Sequence, residues 1–201
     1  MLPLLTLLIF ALIFYVFYIL ISSAFEEVGF KSWEASVIVF SCILFGWVNL
    51  PLVKYNGWIL AINVGGALIP ILISVYLMLS RKVAGRSVVG MIIVAYFAYK
   101  ITIVTPEGVV SSFPNWLIPP IVASLYSIIV SLKNKKKAAS IAYSSGTMGV
   151  LIGADLLHLK ELLQIKTSTA TVASIGGAAI LDMVFLTGVI AVLIDALLYG
   201  K

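Results

Sequence analysis

Seven long apolar segments dominate the chain and decide what it can fold into. They run roughly over 2–22, 35–52, 58–79, 87–104, 116–132, 138–158 and 174–199. Each is close to the ~20 residues that cross ~30 Å of hydrocarbon as a helix. Lipid cannot satisfy free backbone groups, so segments of this kind must be helical. The second and fifth are short, and Pro114, Pro119 and Pro120 flank the start of the fifth.

Composition removes the alternatives. Of the 201 residues 62% are hydrophobic and 10% charged, where soluble domains carry about 45–50% and about 25%. A soluble core of this size cannot hide so much apolar surface. Soluble enzyme, nucleic-acid binder and disordered chain are thereby excluded. The expectation is an all-α polytopic membrane protein of the cell membrane. A single transmembrane domain is expected over 1–201, with the lipid bilayer as its first partner and no nucleic acid as another. Met1–Ile21 has no basic n-region and a spanning length, so it reads as a retained first helix rather than a cleaved signal. With one cysteine, Cys42, and one histidine, His158, an internal disulfide and a Cys-based zinc site are out. No metal and no cofactor are expected.

The net charge of +5 comes mainly from two clusters, Arg81-Lys82…Arg86 and Lys133…Lys137. Between apolar runs such clusters mark cytoplasmic loops. Placing both inside puts nine Lys and Arg there, Lys31 and Lys201 included, against Lys54, Lys160 and Lys166 outside. The N-terminus is then outside and the C-terminus inside. An internal echo runs between Asn63-Val-Gly-Gly-Ala and Ser174-Ile-Gly-Gly-Ala, 111 residues apart. It reads either as a parallel repeat of helices 1–3 and 5–7 or as the small-residue packing common in membrane helices.

Ionisable groups inside lipid cost several kcal/mol or more and are candidate functional groups by default. Here they are Asp155, Asp182, Asp195 and Lys100, with Asn49, Asn63, Thr187 and His158 as neutral companions. At 1.5 Å per residue, Asp155 falls about 25 Å above the inner end of its helix and Asp182 about 12 Å below the outer end of the next. Both lie in the outer half, with Asn63 and Lys100. Asp182 can instead pair with Lys100, and Lys100 can snorkel to the surface. Asp195, about one turn from the inner end, reads as an interfacial charge, and His158 as an interfacial histidine. Tyr55, Trp58 and Trp116 read as interfacial anchors. Gly176-Gly177 before Asp182, and Gly149 and Gly153 before Asp155, permit unwinding or close packing. Asp155, His158 and Asp182 have metal-ligating side chains, but a single histidine makes a poor centre.

The strings Gly46-Trp-Val-Asn49-Leu-Pro51, Ile62-Asn63-Val-Gly-Gly66, Ile152-Gly-Ala-Asp155 and Ile175-Gly-Gly-Ala…Asp182-Met-Val-Phe-Leu-Thr-Gly188 resemble a family of prokaryotic polytopic membrane proteins known as a domain of unknown function. That resemblance spans most of the chain and implies a membrane location. A more distant one is to GxGD-type intramembrane aspartyl peptidases (presenilin, signal peptide peptidase, prepilin peptidase). These carry one Asp on each of two successive antiparallel helices, the second after a glycine pair. Asp155 matches the first position and Asp182 the second, and Asp182-Met-Val…Gly188-Val-Ile-Ala-Val-Leu is similar to the run after the second Asp. Ala178–Leu181 separate the glycine pair from Asp182, and no Tyr precedes Asp155. A later helix with a Pro-Ala-Leu motif has no counterpart among the seven segments, so Pro51 or Pro70 would have to stand in for it.

The resemblance implies a diaspartyl peptidase acting on a membrane-protein or peptide substrate. Asp155 and Asp182 would be catalytic, and Asn63, Gly176, Gly177 and Lys100 would line the substrate. Two carboxyls near contact share one proton; one activates water and the other protonates the leaving group. The alternative is an ion- or proton-coupled transporter or channel using the same aspartates. A further one is a non-catalytic assembly partner in which they are structural.

Overall fold

The computed structural model describes residues 2–106, 108–165 and 171–199. Lys166 and Lys201, used in the orientation count, lie outside them. The described chain is mostly helical, with seven longer helices and one of six residues. In order it forms α1 (Leu2–Glu27), α2 (Ser32–Leu44), β1 (Asn49–Tyr55), β2 (Trp58–Asn63) and α3 (Ile69–Ser80), then α4 (Ala84–Ile101), β3 (Thr102–Thr105) and β4 (Gly108–Ser111). It continues with α5 (Ile118–Val130), α6 (Ala138–Val150), α7 (Leu159–Gln164), β5 (Thr171–Ile175) and α8 (Met183–Tyr199). Two stretches are π-helical: Val64–Leu68 leads into α3, and Leu151–Leu156 prolongs α6.

The fold is therefore not all-α, and the correction falls on four segment ends. Residues read as the end of the second helix and the start of the third pair instead as the antiparallel hairpin β1–β2. Its turn is Asn56-Gly57, with φ of 50° and 85°. Positive φ at both central residues is what a tight two-residue hairpin demands, and Asn-Gly supplies it. The end of the fourth segment becomes the hairpin β3–β4. The start of the seventh becomes β5, which pairs in parallel with β2 from Trp58↔Thr171 to Ile62↔Ile175. The main sheet thus has the order β1-β2-β5, with β5 on an edge.

The internal echo now has a physical meaning. In both copies a strand runs into a Gly-Gly pair and then a helix, and the two strands lie side by side. A methyl group on Gly66 would collide with the Gly176 carbonyl, so one pair packs against the other.

The bundle is built round α6, which is buried along almost its whole length and touches α3, α4, α5 and α8. Its sequence, Ala-Ala-Ser-Ile-Ala-Tyr-Ser-Ser-Gly-Thr-Met-Gly-Val, is small enough for neighbours to close in from every side. A Cβ on Gly149 would strike Val94, and one on Gly153 the Ala95 backbone. These glycines serve close packing against α4. A larger hydrophobic cluster, including Phe25, Tyr143, Phe185 and Val189, ties the end of α1 to α6 and α8.

The two ends of the bundle differ. At one, the Arg81 guanidinium donates to the carbonyls of Val28 and Gly29, joining the α3–α4 and α1–α2 turns. Lys135 sits over the Tyr199 ring, bringing the α5–α6 turn to the end of α8. Both basic clusters therefore gather here. The opposite end carries the sheet, α7, Asp155 and Asp182. Between the ends the helix surfaces are apolar and exposed: Leu4 to Leu20 along α1, Val37 and Phe40 on α2, Leu72 and Leu79 on α3, Ile92 on α4, and Leu125 and Ile129 on α5. By length and composition, two helices, Pro3–Glu27 and Ala84–Ile101, are long and apolar enough to cross a membrane.

Candidate functional site

Asp182 is not inside a helix, as its segment suggested, but just before one. After β5 the chain turns at Gly176, whose φ of +71° suits glycine, and passes through a short 3-10 turn, Ala179–Leu181. Asp182 then has extended φ and ψ of −70° and 145°, the conformation of a helix N-cap. Its Oδ1 accepts the Val184 N–H at 2.9 Å and its Oδ2 the Ala178 N–H at 3.3 Å. One carboxylate thus starts α8 and holds the glycine turn that delivers it.

Asp155 reaches the same place from the other side. It sits in the π-helical prolongation of α6. A π-turn widens the helix by a residue and re-aims the side chains beyond it, which is why such turns recur at functional sites. Asp155 Oδ2 is buried and has no hydrogen-bond partner among the described residues. A buried carboxylate oxygen left so is expensive unless a proton, a water or a substrate group meets it.

The two aspartates line two cavities in common. One, of about 240 Å³, is walled by β5 residues Val172 to Ile175, by Gly108 and Val109 of β4, and by Leu159 and Leu162 of α7. The other, of about 140 Å³, runs past Thr102, Ser111, Ala154 and Met183. Gly177 lines the first cavity, so this half of the glycine pair borders the aspartates, while Gly176 makes the turn behind it.

The remaining expected residues are placed differently. Asn63 is fully buried at the end of β2 and has a supporting position. Its Oδ1 accepts the Gly66 N–H at 2.8 Å, and its Nδ2 donates to the Gly46 carbonyl at 2.7 Å and to Asn49 Oδ1 at 3.0 Å. Ser174 Oγ, on the cavity wall, donates to the same Asn49 oxygen. Asn63 therefore braces β1, β2 and β5 behind the site rather than lining it. Lys100 is exposed, with its ammonium 6.0 Å from the Tyr96 ring centroid, and lines neither cavity. Pro51 lies on the exposed edge strand β1 and Pro70 in the first turn of α3, also away from both cavities.

Three side chains expected at an interface are buried instead. His158 stacks on Tyr99 with ring centroids 4.5 Å apart, and its nitrogens lie 3.2 Å from Glu161 Oε2 and 3.2 Å from the Tyr99 carbonyl. Both nitrogens are occupied, so His158 does not join the aspartates as a ligand. Trp58 is buried and its indole N–H donates to the Ile165 carbonyl at 2.8 Å. Asp195 is 2% exposed and accepts from Ser127 Oγ at 2.9 Å. Tyr55 is exposed, as an anchor would be.

The cavity walls were the part that residue types alone did not indicate. Val172 and Ser174 sit in a strand with no ionisable group and reach the Asp155 cavity through the pairing of β5 with β2, while Val109 reaches it on β4, which pairs with β3. The Asn-Gly dipeptide at 56–57 was the available signal, since it predicts the hairpin on which β5 docks.

No curated protein and no solved structure matches the chain. A family model does, over residues 12–194. Most of the chain is covered, both aspartates and all five strands among it, and the chain therefore belongs to DUF1614, a family of proteins of unknown function.

Proposed function

We propose that the protein is a multi-pass membrane protein that hydrolyses peptide bonds with Asp155 and Asp182, a diaspartyl intramembrane peptidase of GxGD-like type. The apolar side chains exposed on five helices support the membrane part: a surface of this kind is stable in lipid and not in water. The basic end faces the cytoplasm by the Lys/Arg rule, and the aspartates lie towards the outside.

One observation carries the peptidase part. A carboxylate from the π-helical end of α6 and one from the residue before α8 line one cavity, and the edge strand β5 forms another of its walls. An edge strand offers backbone N–H and C=O groups to an extended chain. A substrate segment paired there would lay its scissile carbonyl beside the carboxylates. Asp182, with an N–H donor on each oxygen, is the fixed member of the pair. Asp155, with a free buried oxygen, is the one placed to carry the proton. One carboxylate takes a proton from water as the water oxygen attacks the carbonyl carbon. The other gives a proton to the departing nitrogen as the C–N bond breaks.

The test uses the purified full chain in lipid nanodiscs, with a fluorogenic peptide containing an apolar membrane-spanning stretch. Asp155→Asn and Asp182→Asn should each lower the cleavage rate by ~10²–10⁴-fold, the usual worth of a general acid or base. Full cleavage by Asp182→Asn would end the proposal.

A further inference from the structure

The basic end of the bundle holds a cavity that peptide cleavage does not use. It measures about 470 Å³, within the ~300–1,000 Å³ common for small-ligand sites. Three parts of the chain wall it: Glu27 at the end of α1, Lys135 and Lys136 in the turn between α5 and α6, and Asp195 and Tyr199 on the last turns of α8. They meet because α5, α6 and α1 all pack on α8.

Asp195 is the unusual member. It is buried, and its Oδ1 accepts from Ser127 Oγ at 2.9 Å. That hydroxyl has one proton and lies 2.8 Å from the Ser124 carbonyl as well. Among the described residues Asp195 Oδ2 has no hydrogen-bond partner, and no lysine or arginine pairs with the carboxylate. A carboxylate buried without a cation is costly, and a positive group brought to it offsets that cost. The neighbouring lysines do not supply one. Lys135 sits over the Tyr199 ring, 4.7 Å from its centroid, and the Tyr199 hydroxyl fixes that ring by donating to the Ile128 carbonyl at 2.6 Å. Lys136 is exposed. The cavity therefore has an acidic side at Asp195 and a basic side at the two lysines, and the two sides do not neutralise each other.

This division selects the ligand. A bare cation suits Asp195 but is repelled by two lysines. An anion suits the lysines but is repelled by Asp195 and Glu27. A proton on Asp195 relieves the carboxylate and leaves the lysines unused. A zwitterion with a primary ammonium and a phosphate satisfies both sides, because the ammonium brings N–H donors and the phosphate brings acceptor oxygens. Position selects the source. Asp195 lies about 6 Å along α8 from Tyr199, level with the basic turns that mark the cytoplasmic surface. Leu132, Leu197 and Leu198, close by in the chain, are exposed. Charged groups in a cavity with bare leucines beside it suit a ligand that carries acyl chains.

We propose that this cavity binds the headgroup of an inner-leaflet phospholipid bearing a primary ammonium and a phosphodiester, with the ammonium at Asp195 and the phosphodiester at Lys135 and Lys136. The site rests on the membrane-spanning reading and is independent of peptide cleavage.

The test is native mass spectrometry of the full chain in detergent micelles, titrated with phosphatidylethanolamine, phosphatidylcholine or phosphatidylglycerol of identical acyl chains. Phosphatidylcholine keeps both charges but has no N–H donor on its nitrogen; phosphatidylglycerol keeps the phosphate and has no ammonium. Phosphatidylethanolamine should bind about tenfold or more tightly than either, the worth of a charge-assisted hydrogen bond. Asp195→Asn should bring it down to the level of phosphatidylglycerol. The double variant Lys135→Gln/Lys136→Gln should weaken phosphatidylethanolamine and phosphatidylglycerol alike. Lys82→Gln, a cation at the same end that does not line the cavity, should change nothing. Should Asp195→Asn fail to fold, the three lipids on the wild type and the lysine variant carry the test. Equal binding of the three lipids, a preference that survives Asp195→Asn, or indifference to the lysine variant would overturn the site. Displacement of the lipid by an equal concentration of O-phosphoethanolamine would overturn the lipid source in favour of a soluble zwitterion. Alkaline extraction of membranes holding the chain is run alongside. Release of the chain would overturn the membrane reading together with the lipid site, whereas a retained chain without the preference would overturn the site alone.

Discussion

Asp155 and Asp182 face the same two cavities, yet only Asp182 is tied to the backbone, through the N–H groups of Val184 and Ala178. Two variants of one position separate its structural task from its chemistry. Asparagine caps a helix about as well as aspartate, whereas alanine at an N-cap costs ~0.5–2 kcal/mol. Asp182→Asn keeps the cap to Val184 but has no second acceptor for the Ala178 N–H, so it is expected to melt slightly below the wild type in detergent. Asp182→Ala should melt lower and exchange the amide protons of 176–184 faster. Asp155→Asn, which loses no protein partner, should be neutral within about 0.5 kcal/mol or slightly stabilising. If Asp155→Asn proved the more destabilising of the two asparagine variants, the division of roles between the carboxylates would be wrong.

The glycine turn gives a second prediction. Gly176 has a left-handed φ, and its Cβ would run into the Ala67 and Gly66 backbone. Gly176→Ala combines strain with a clash, and a loss of about 1–3 kcal/mol is expected in denaturant unfolding. Gly85→Ala, where a Cβ meets nothing within 4 Å, should stabilise the helix by up to ~1 kcal/mol. Equal effects from the two would remove the case that the packed glycine pairs position Asp182.

How much of this was legible beforehand depended on the length scale of the signal. The helix cores were readable because apolar runs of this length have few other uses. Asp155 and Asp182 were readable because a carboxylate in such a run stands out. The strands were not, since Trp58–Asn63 and Thr171–Ile175 are short apolar stretches with no periodicity to separate strand from helix. Apolar continuity hid the boundary, and the Asn56-Gly57 turn was its local marker. The parallel pairing of β2 and β5 joins residues over a hundred positions apart, and no local pattern encodes it. Lys100 was misplaced for a different reason. Depth along a helix was inferred without its rotation, and ~100° per residue decides whether a side chain points at a cavity or at the surface.

Edge pairing makes the substrate-strand idea testable at one residue. The Thr171 N–H donates to the Gly57 carbonyl on the β2 side. Backbone groups alternate direction along a strand, so the Val172 N–H turns to the open edge. Val172 is also half exposed, at 52%. Val172→Pro removes that donor without breaking a bond to β2. Cleavage of an extended peptide should fall by about tenfold, the worth of a ~1.4 kcal/mol hydrogen bond, while the melting temperature moves little. Ala173→Pro, which takes a donor from the paired side, should instead lower the melting temperature. If Val172→Pro cleaved at the wild-type rate, peptide substrates would not dock along β5.

The exposed face of α1 tests the membrane reading. Leu8 and Leu12 are 57% and 61% exposed, in a helix of which only the last turns pack on the bundle. In water, exchanging them for lysine removes apolar exposure and should raise solubility. In a bilayer, a lysine near the middle of a span costs about 2.5–3.5 kcal/mol on insertion scales. Leu8→Lys/Leu12→Lys is therefore expected to lower the fraction of protein that resists alkaline extraction, and to do so more than the same pair of changes at Glu26 and Glu27. A double variant that folded, stayed in the soluble fraction and melted like the wild type would mean that α1 meets water, and the surface of the remaining helices would then need another cover.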